Sequence, residues 1–241
     1  MHSRRAILTY HSVDDSGSVI SVRRENFLDQ MQALAGAKVV RLSELLSVPG
    51  PAVALTFDDG FRNFAEVAAP ILSRHGFPAT IFLVTDHCGG YNDWPSGALE
   101  VPRLPLMDWA TIQEMSRGGF EFGSHSATHP DLARLDEDTA RHEILSSKQR
   151  IEDVTGRAVK AFAYPYGSMT TATRNIVAEN FDLGCSTRMG WVSAASDAAA
   201  LERIDVYYLS HSYLWQRLFG TPARWYLGLR GALREWKHPQ S

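Results

Sequence analysis

The sequence predicts a single α/β domain built around a parallel β-sheet, either open or closed into a barrel. Three observations support this fold class. The chain has 241 residues, a length at which one barrel or doubly wound domain is common. Seven short apolar runs rich in β-branched and aromatic residues occur along it, and segments with helical periodicity lie between them. Strands that alternate with helices along a whole chain form parallel sheets.

The seven predicted strands span residues 6–10, 53–57, 80–84, 120–123, 161–164, 183–186 and 203–207. The segments between them repeat apolar residues at helical intervals, as in Phe27/Met31 and Phe64/Ala68. A glycine follows several of these segments and predicts a helix end. Since no linker rich in Pro, Gly or Ser divides the chain, we expect one barrel domain over residues 1–210.

The last thirty residues have a different composition. Residues 211–241 interleave Trp, Tyr, Phe and Leu with Arg, which predicts a C-terminal helical extension. Two interpretations of this aromatic and basic tail stay open. It packs on the barrel with its basic face in solvent, or it lies on a membrane surface, because Trp and Arg at helical spacing suit the headgroup region.

Composition excludes several function classes. Lys and Arg number 24 against 27 Asp and Glu, so the chain lacks the clustered positive charge typical of nucleic-acid binding. Cys88 and Cys185 are far apart and form no disulfide framework or cysteine-based zinc motif. The apolar stretch near the N-terminus is too short for a signal peptide, so we expect a cytoplasmic protein, or one at the inner membrane face if the tail binds lipid.

Reactive side chains follow the predicted strands directly. His11 follows the first strand, and Asp58 and Asp59 follow the second. His125 and His129 follow the fourth strand. In parallel α/β folds the carboxyl ends of the strands meet at one edge, where the connecting loops converge. These five residues are therefore expected to form one site.

The Asp pair and the His pair together suggest a metal site. Alone, Asp58-Asp59-Gly60 is also typical of a solvated turn. Two adjacent carboxylates after a buried run repel each other unless a cation lies between them. His125 and His129 are expected on a loop, because Pro130 disfavours helix at the residue before it. Two imidazoles and a carboxylate suit Zn²⁺ or another divalent ion.

The blocks Thr-Phe-Asp-Asp-Gly at 56–60 and His-Ser-x-x-x-His at 125–129 resemble those of the polysaccharide deacetylases. This is the fourth family of carbohydrate esterases, related to the nodulation-factor chito-oligosaccharide deacetylases. The resemblance extends from about residue 11 to about residue 207. It implies a distorted (β/α)7 barrel and removal of an N-acetyl group by attack of a metal-activated water.

The resemblance also assigns residue roles. It implies that Asp58 is the general base, and that Asp59, His125 and His129 bind Zn²⁺ or a similar ion such as Co²⁺ or Ni²⁺. The backbone N–H of Tyr166 is then expected to stabilise the oxyanion. The segment that follows the fifth strand and the long loop at 88–105 are expected to line the substrate site, through Tyr164, Pro165 and Trp94.

Two positions depart from the family pattern. Ala163 stands where the family often has an Arg that orients the catalytic Asp, and Asp205 is a weak candidate to replace that network. The family's Leu-x-His motif, source of its general acid, has only Leu209-Ser210-His211 as a match. The general acid therefore stays open between His11, whose residue type suits proton donation near neutral pH, His211, and neither.

The leading interpretation is a metal-dependent N-deacetylase acting on an amino sugar in a saccharide or a lipid-linked saccharide precursor. A second interpretation keeps the site but changes the acyl group or carrier, as in a deformylase or other small-amide hydrolase. A third is a saccharide-binding module on a barrel that has lost catalysis. We expect an N-acylated amino sugar as partner and no nucleic acid.

Overall fold

Seven parallel strands close into a barrel in the computed structural model, which describes residues 5–95, 101–209 and 215. The strands of the chain are β1 (Arg5–Tyr10), β2 (Ser12–Val13), β3 (Ser21–Val22), β4 (Val39–Val40), β5 (Ala52–Phe57), β6 (Thr80–Leu83), β7 (Glu121–Ser124), β8 (Ala161–Ala163), β9 (Leu183–Met189) and β10 (Leu201–Asp205). The barrel runs from β5 through β10 and closes because β1 pairs with both β10 and β5. The sequence prediction of a distorted (β/α)7 barrel is confirmed.

The helices lie between the barrel strands, as their periodicity predicts. They are α1 (Arg24–Ala33), α2 (Ala69–His75), α3 (Trp109–Arg117), α4 (Glu137–Thr155) and α5 (Thr171–Asn180). A π-helical turn, Phe64–Ala68, leads into α2. Asp108 and Asp136 cap the N-termini of α3 and α4 by accepting hydrogen bonds from backbone N–H groups of the first turn.

All seven predicted strands exist. The bounds of the first six differ from the prediction by one to three residues, and the last strand is shifted towards the N-terminus. The predicted strand at 203–207 begins two residues earlier, at Leu201, and ends at Asp205. Residues 206–209 form a 3₁₀ turn instead. The apolar run that predicted a strand beyond Asp205 therefore continues into a turn that packs Val206 and Leu209 into the core.

Alternate side chains of each strand face opposite sides of the barrel wall. Leu8 and Phe57 pack outward against helical residues such as Phe27 and Met31. Ile7 and other mostly smaller side chains fill the interior. Because the period of a strand is two, interior positions recur at every second residue.

On β10 this alternation matters for function. Ile204 packs with the outer cluster, whereas Leu201 belongs to the interior cluster. Arg203, two residues after Leu201, therefore also faces the interior and is buried there. The barrel thus contains a guanidinium group below the edge where the strands end.

The tail that the sequence predicts at 211–241 lies outside the described residues except for Trp215, which is buried with the core cluster. The boundary at residue 210 and membrane contact by the tail stay predictions. Among the residues that are described, no helix has the length and apolar character needed to cross a membrane.

Candidate metal and catalytic site

The residues predicted to form one site surround a single cavity of about 520 Å³. It lies where the barrel strands end, as expected for a parallel α/β fold. The side chains predicted from the sequence that line it are His11, Asp58, Asp59, Trp94, His125, His129, Tyr164 and Tyr166. Arg203, Asp205 and Tyr207 from the end of the barrel line it as well.

Asp59, His125 and His129 form a compact group of metal-ligand atoms. Oδ1 of Asp59 lies 3.6 Å from Nε2 of His125 and 3.6 Å from Nε2 of His129. The three ligand atoms lie within 4.8 Å of one another, and all three residues are buried. Nδ1 of His125 lies 2.7 Å from the carbonyl oxygen of Ala163, which accepts its proton and leaves the Nε2 lone pair facing the group.

The electrostatics of this group also fit a cation. Burial lowers the pKa of His129 well below its usual value, so its imidazole is neutral and retains a lone pair. Burial raises the pKa of the Asp59 carboxyl. A buried carboxylate next to imidazole lone pairs is a donor set for Zn²⁺ and similar ions. The residues present therefore fit a divalent metal.

Asp58, which lines the same cavity, forms a bidentate ion pair. Its two carboxylate oxygens each lie 2.7 Å from a guanidinium nitrogen of Arg203. Burial alone would raise the pKa of Asp58, but the charge of Arg203 and the hydrogen bonds that it donates lower it to about 2. Asp58 is consequently ionised at neutral pH.

Arg203 is the site residue that the sequence analysis missed. It fills the role expected of the Arg that Ala163 replaces, since it holds the carboxylate of Asp58 in one orientation. A further hydrogen bond from Nε to the carbonyl of Ser186, 2.9 Å long, fixes the guanidinium. Asp205 does not contact Asp58 in this way; its carboxylate accepts a hydrogen bond from the N–H of Tyr207. The orienting network therefore depends on Arg203.

His11 lies beside Asp58 because their strands are paired. Tyr10 on β1 is in register with Phe57 on β5, and the N–H of Asp58 donates to the carbonyl of Tyr10 at 2.9 Å. His11 and Asp58, the residues that follow these two partners, therefore lie side by side in the cavity. His211, the other candidate for the general acid, lies outside the described residues.

The turn after β8 places Tyr166 at the metal-ligand group. Tyr166 has a positive φ of 58°, and its ring centroid lies 4.6 Å from that of His129. Its hydroxyl donates to the carbonyl of Pro95 at 2.5 Å. This contact links the turn to the loop that precedes residues 96–100.

The substrate-binding roles of Tyr164 and Pro165 stay predictions. Both residues are buried, and the hydroxyl of Tyr164 donates to the carbonyl of Ala199. The ring of Tyr164 packs against Phe162 in the core cluster, and Tyr164 also lines the cavity. Tyr166, by contrast, is 44% exposed.

Trp94 is placed as predicted for a residue of the site wall. Its ring lies 4.7 Å from that of His129. Asn92 joins the two ends of the loop that carries Trp94. The side chain of Asn92 accepts a hydrogen bond from the N–H of Leu104 and donates one to the carbonyl of Pro102. Tyr91 also pairs with Pro105. The long loop predicted at 88–105 is therefore an ordered arm beside the cavity where it is described.

The fold and the site together define a class of protein: a parallel seven-stranded barrel with an Asp-His-His group and an ionised Asp at its strand ends. A family model described as polysaccharide deacetylase matches residues 46–181, more than half of the chain. The chain belongs to the polysaccharide deacetylase family.

Individual relatives are similar over different lengths. The Bacillus subtilis protein YxkH is 24% identical over 210 residues, which cover 83% of this chain and 70% of that protein. The poly-beta-1,6-N-acetyl-D-glucosamine N-deacetylase of Staphylococcus aureus is 28% identical over 166 residues, 62% of this chain and 54% of that one. The solved structure of the Streptococcus pyogenes deacetylase PplD in complex with acetate is 27% identical, with a TM-score of 0.72 over 85% of this chain and 93% of that one.

Proposed function

We propose that this protein is a metal-dependent hydrolase that removes the N-acetyl group from an amino sugar within a saccharide. The observation that carries the proposal is the arrangement at the strand ends, where the Asp59, His125 and His129 group lies beside the ionised Asp58 in one cavity. The names of two relatives support it, since one deacetylates poly-beta-1,6-N-acetyl-D-glucosamine and the other was solved with acetate, the acid that deacetylation releases.

Asp59, His125 and His129 would hold the metal. A divalent ion bound there would act as a Lewis acid on the amide carbonyl and lower the pKa of a water molecule. Zn²⁺ matches the donor set of two imidazoles and one carboxylate, and Co²⁺ or Ni²⁺ are alternatives.

Asp58 is suited to accept a proton from the attacking water. Its carboxylate is ionised and is held by Arg203, so it reaches the reacting centre in one orientation. As the water oxygen bonds to the carbonyl carbon, Asp58 takes the proton, and the N–H of Tyr166 donates to the developing oxyanion.

His11 is the general acid in this proposal. Cleavage of the C–N bond releases acetate and an amine, and the departing nitrogen must receive a proton. His11 follows β1 and Asp58 follows β5. Because these two strands are paired, His11 lies beside the base in the cavity.

The cavity mouth suits a saccharide. Among the residues that the structure describes, four large apolar side chains are exposed: Val19, Tyr91, Tyr166 and Tyr207. Three of them line the cavity and the fourth is next to Asn92, which also lines it. Exposed apolar groups concentrated at one cleft are typical of a binding site, and Trp94 adds a further ring at the wall.

Acetate release tests the proposed activity. The full chain loaded with Zn²⁺ or Co²⁺ is incubated with N-acetylglucosamine oligomers, and acetate and free amine are quantified. We expect release by the wild type and by the surface variant Asp29→Asn, and a loss of about 100-fold or more in Asp58→Asn, the range of general-base catalysis. Equal rates in all three proteins would overturn the proposal. Release of formate from N-formyl oligomers, without release of acetate from N-acetyl oligomers, would identify a deformylase.

A further inference from the structure

The two histidines of the metal-ligand group lie on a loop with unusual backbone geometry. Ser126 and His129 have φ values of 66° and 63°. For residues other than glycine this left-handed region of backbone conformation is unfavourable. Such residues adopt it where the surrounding structure enforces it. The segment 125–129 therefore needs fixed hydrogen-bond partners to keep both imidazoles in place.

One side of this loop is held by neighbouring backbone. The carbonyl of Ser126 accepts from the N–H of Thr85 at 3.3 Å, and the carbonyl of Ala127 accepts from the N–H of Asp86 at 3.0 Å. These contacts come from the turn after β6. They satisfy loop carbonyls and leave loop N–H groups to be bound from elsewhere.

The other side is held by one carboxylate, that of Glu143 on α4. Its Oε2 accepts from the N–H of Ala127 and from that of Thr128, both at 2.9 Å. Its Oε1 accepts from the hydroxyl of Thr128 at 2.8 Å. Glu143 is only 9% exposed, although its position is in the middle of a helix. Three hydrogen bonds to one buried side chain thus hold the segment between the two histidines.

We propose that Glu143 is a positioning residue for the metal site. It binds Ala127 and Thr128, two of the three residues between the imidazoles, and it is not among the residues that line the cavity. By fixing Ala127 and Thr128 it sets the separation and orientation of His125 and His129. The inference rests on the proposed function, because it concerns the affinity for the metal that this function needs.

Zn²⁺ affinity of the full chain tests the proposal. Each protein is titrated with Zn²⁺ in competition with a chromophoric chelator, and the absorption spectrum of the Co²⁺ form is recorded. Glu143→Ala removes all three acceptors, and Glu143→Asp withdraws the carboxylate by one methylene. Glu143→Gln is the conservative variant, since its amide oxygen still accepts from the two N–H groups and its NH₂ donates to the Thr128 hydroxyl.

We expect Glu143→Ala and Glu143→Asp to weaken Zn²⁺ binding by about 10-fold to 100-fold, the range for residues that orient metal ligands. Glu143→Gln should bind within about threefold of the wild type. Ile151→Ala is the control, because Ile151 is buried on the same helix, about two turns beyond Glu143. It should lower thermal stability and leave Zn²⁺ affinity unchanged.

Unchanged Zn²⁺ affinity in Glu143→Asp and Glu143→Ala, with wild-type Co²⁺ spectra, would overturn the inference and leave the proposed function intact. An equal loss of affinity in Ile151→Ala would show that the effect is one of general stability, and would also overturn it. A wild-type chain that binds no metal would overturn the proposed function and this inference together.

Discussion

Arg203 and Asp58 form a buried, bidentate ion pair across 145 residues of sequence, with both N···O distances at 2.7 Å. The pair joins the last strand of the barrel to the end of β5, and it exists only because the barrel closes. In this way the closure of the fold also fixes the orientation of the proposed base.

Replacement of Arg203 should change both stability and pH dependence. Arg203→Met leaves the Asp58 carboxylate buried without its partner, which costs about 3–5 kcal/mol in the free energy of unfolding. Loss of the guanidinium also raises the pKa of Asp58, since the charge of Arg203 lowers it in the wild type. A base must be deprotonated to act, so the acid limb of the rate profile should move to higher pH. Denaturant unfolding and a pH profile of kcat/KM measure the two effects.

The control for this experiment is Arg174→Met, which breaks the partly exposed ion pair with Asp197. Pairs of that kind contribute at most about 1 kcal/mol, so stability should fall less and the acid limb should stay in place. An acid limb that does not move in Arg203→Met would contradict the role assigned to Arg203.

His11→Gln tests the general acid. An acid that protonates the departing amine loses activity once it is deprotonated, so it produces the alkaline limb of the rate profile. We expect the substitution to remove that limb and to lower kcat by about 100-fold or more. The exposed His142→Gln serves as the control and should keep the wild-type profile. An alkaline limb retained in His11→Gln would assign the acid to another group.

Tyr166→Phe separates the side chain of Tyr166 from its backbone. The variant keeps the N–H proposed for the oxyanion but removes the hydrogen bond to Pro95. One such bond contributes about 0.5–1.5 kcal/mol, so KM should rise about twofold to tenfold while kcat stays near the wild-type value. Steady-state kinetics on oligosaccharides give the two constants. A fall in kcat with KM unchanged would contradict a role in holding the wall of the cavity.

The sequence predicted the elements of the barrel well because each is a local pattern. Apolar runs with β-branched residues predicted all the barrel strands, and the reactive residues after them predicted which edge carries the site. The family resemblance then predicted closure into seven strands. The Asp pair and the His pair predicted a metal site with two imidazoles and one carboxylate, and the resemblance assigned that carboxylate to Asp59.

Arg203 escaped prediction because its partner is distant in sequence. In the local sequence Arg203 is only the first residue of an apolar run. No neighbouring residue indicates that its guanidinium binds a carboxylate. The alternation of Leu201, Arg203 and Ile204 on β10 was the available signal, since it places the guanidinium on the interior face. The same signal applies to Tyr164. Two residues after Phe162, its ring is expected on the same face, where the two rings are in contact.

The most direct test of the account is metal content together with acetate release in the wild type and in Asp59→Asn. The purified protein is loaded with Zn²⁺, and free ion is removed. Inductively coupled plasma mass spectrometry then gives the number of metal ions per chain. We predict about one metal per wild-type chain with acetate release from N-acetylglucosamine oligomers, and loss of both in a folded Asp59→Asn variant. A wild-type chain that releases acetate without binding metal, or an Asp59→Asn chain that retains both properties, would contradict the account.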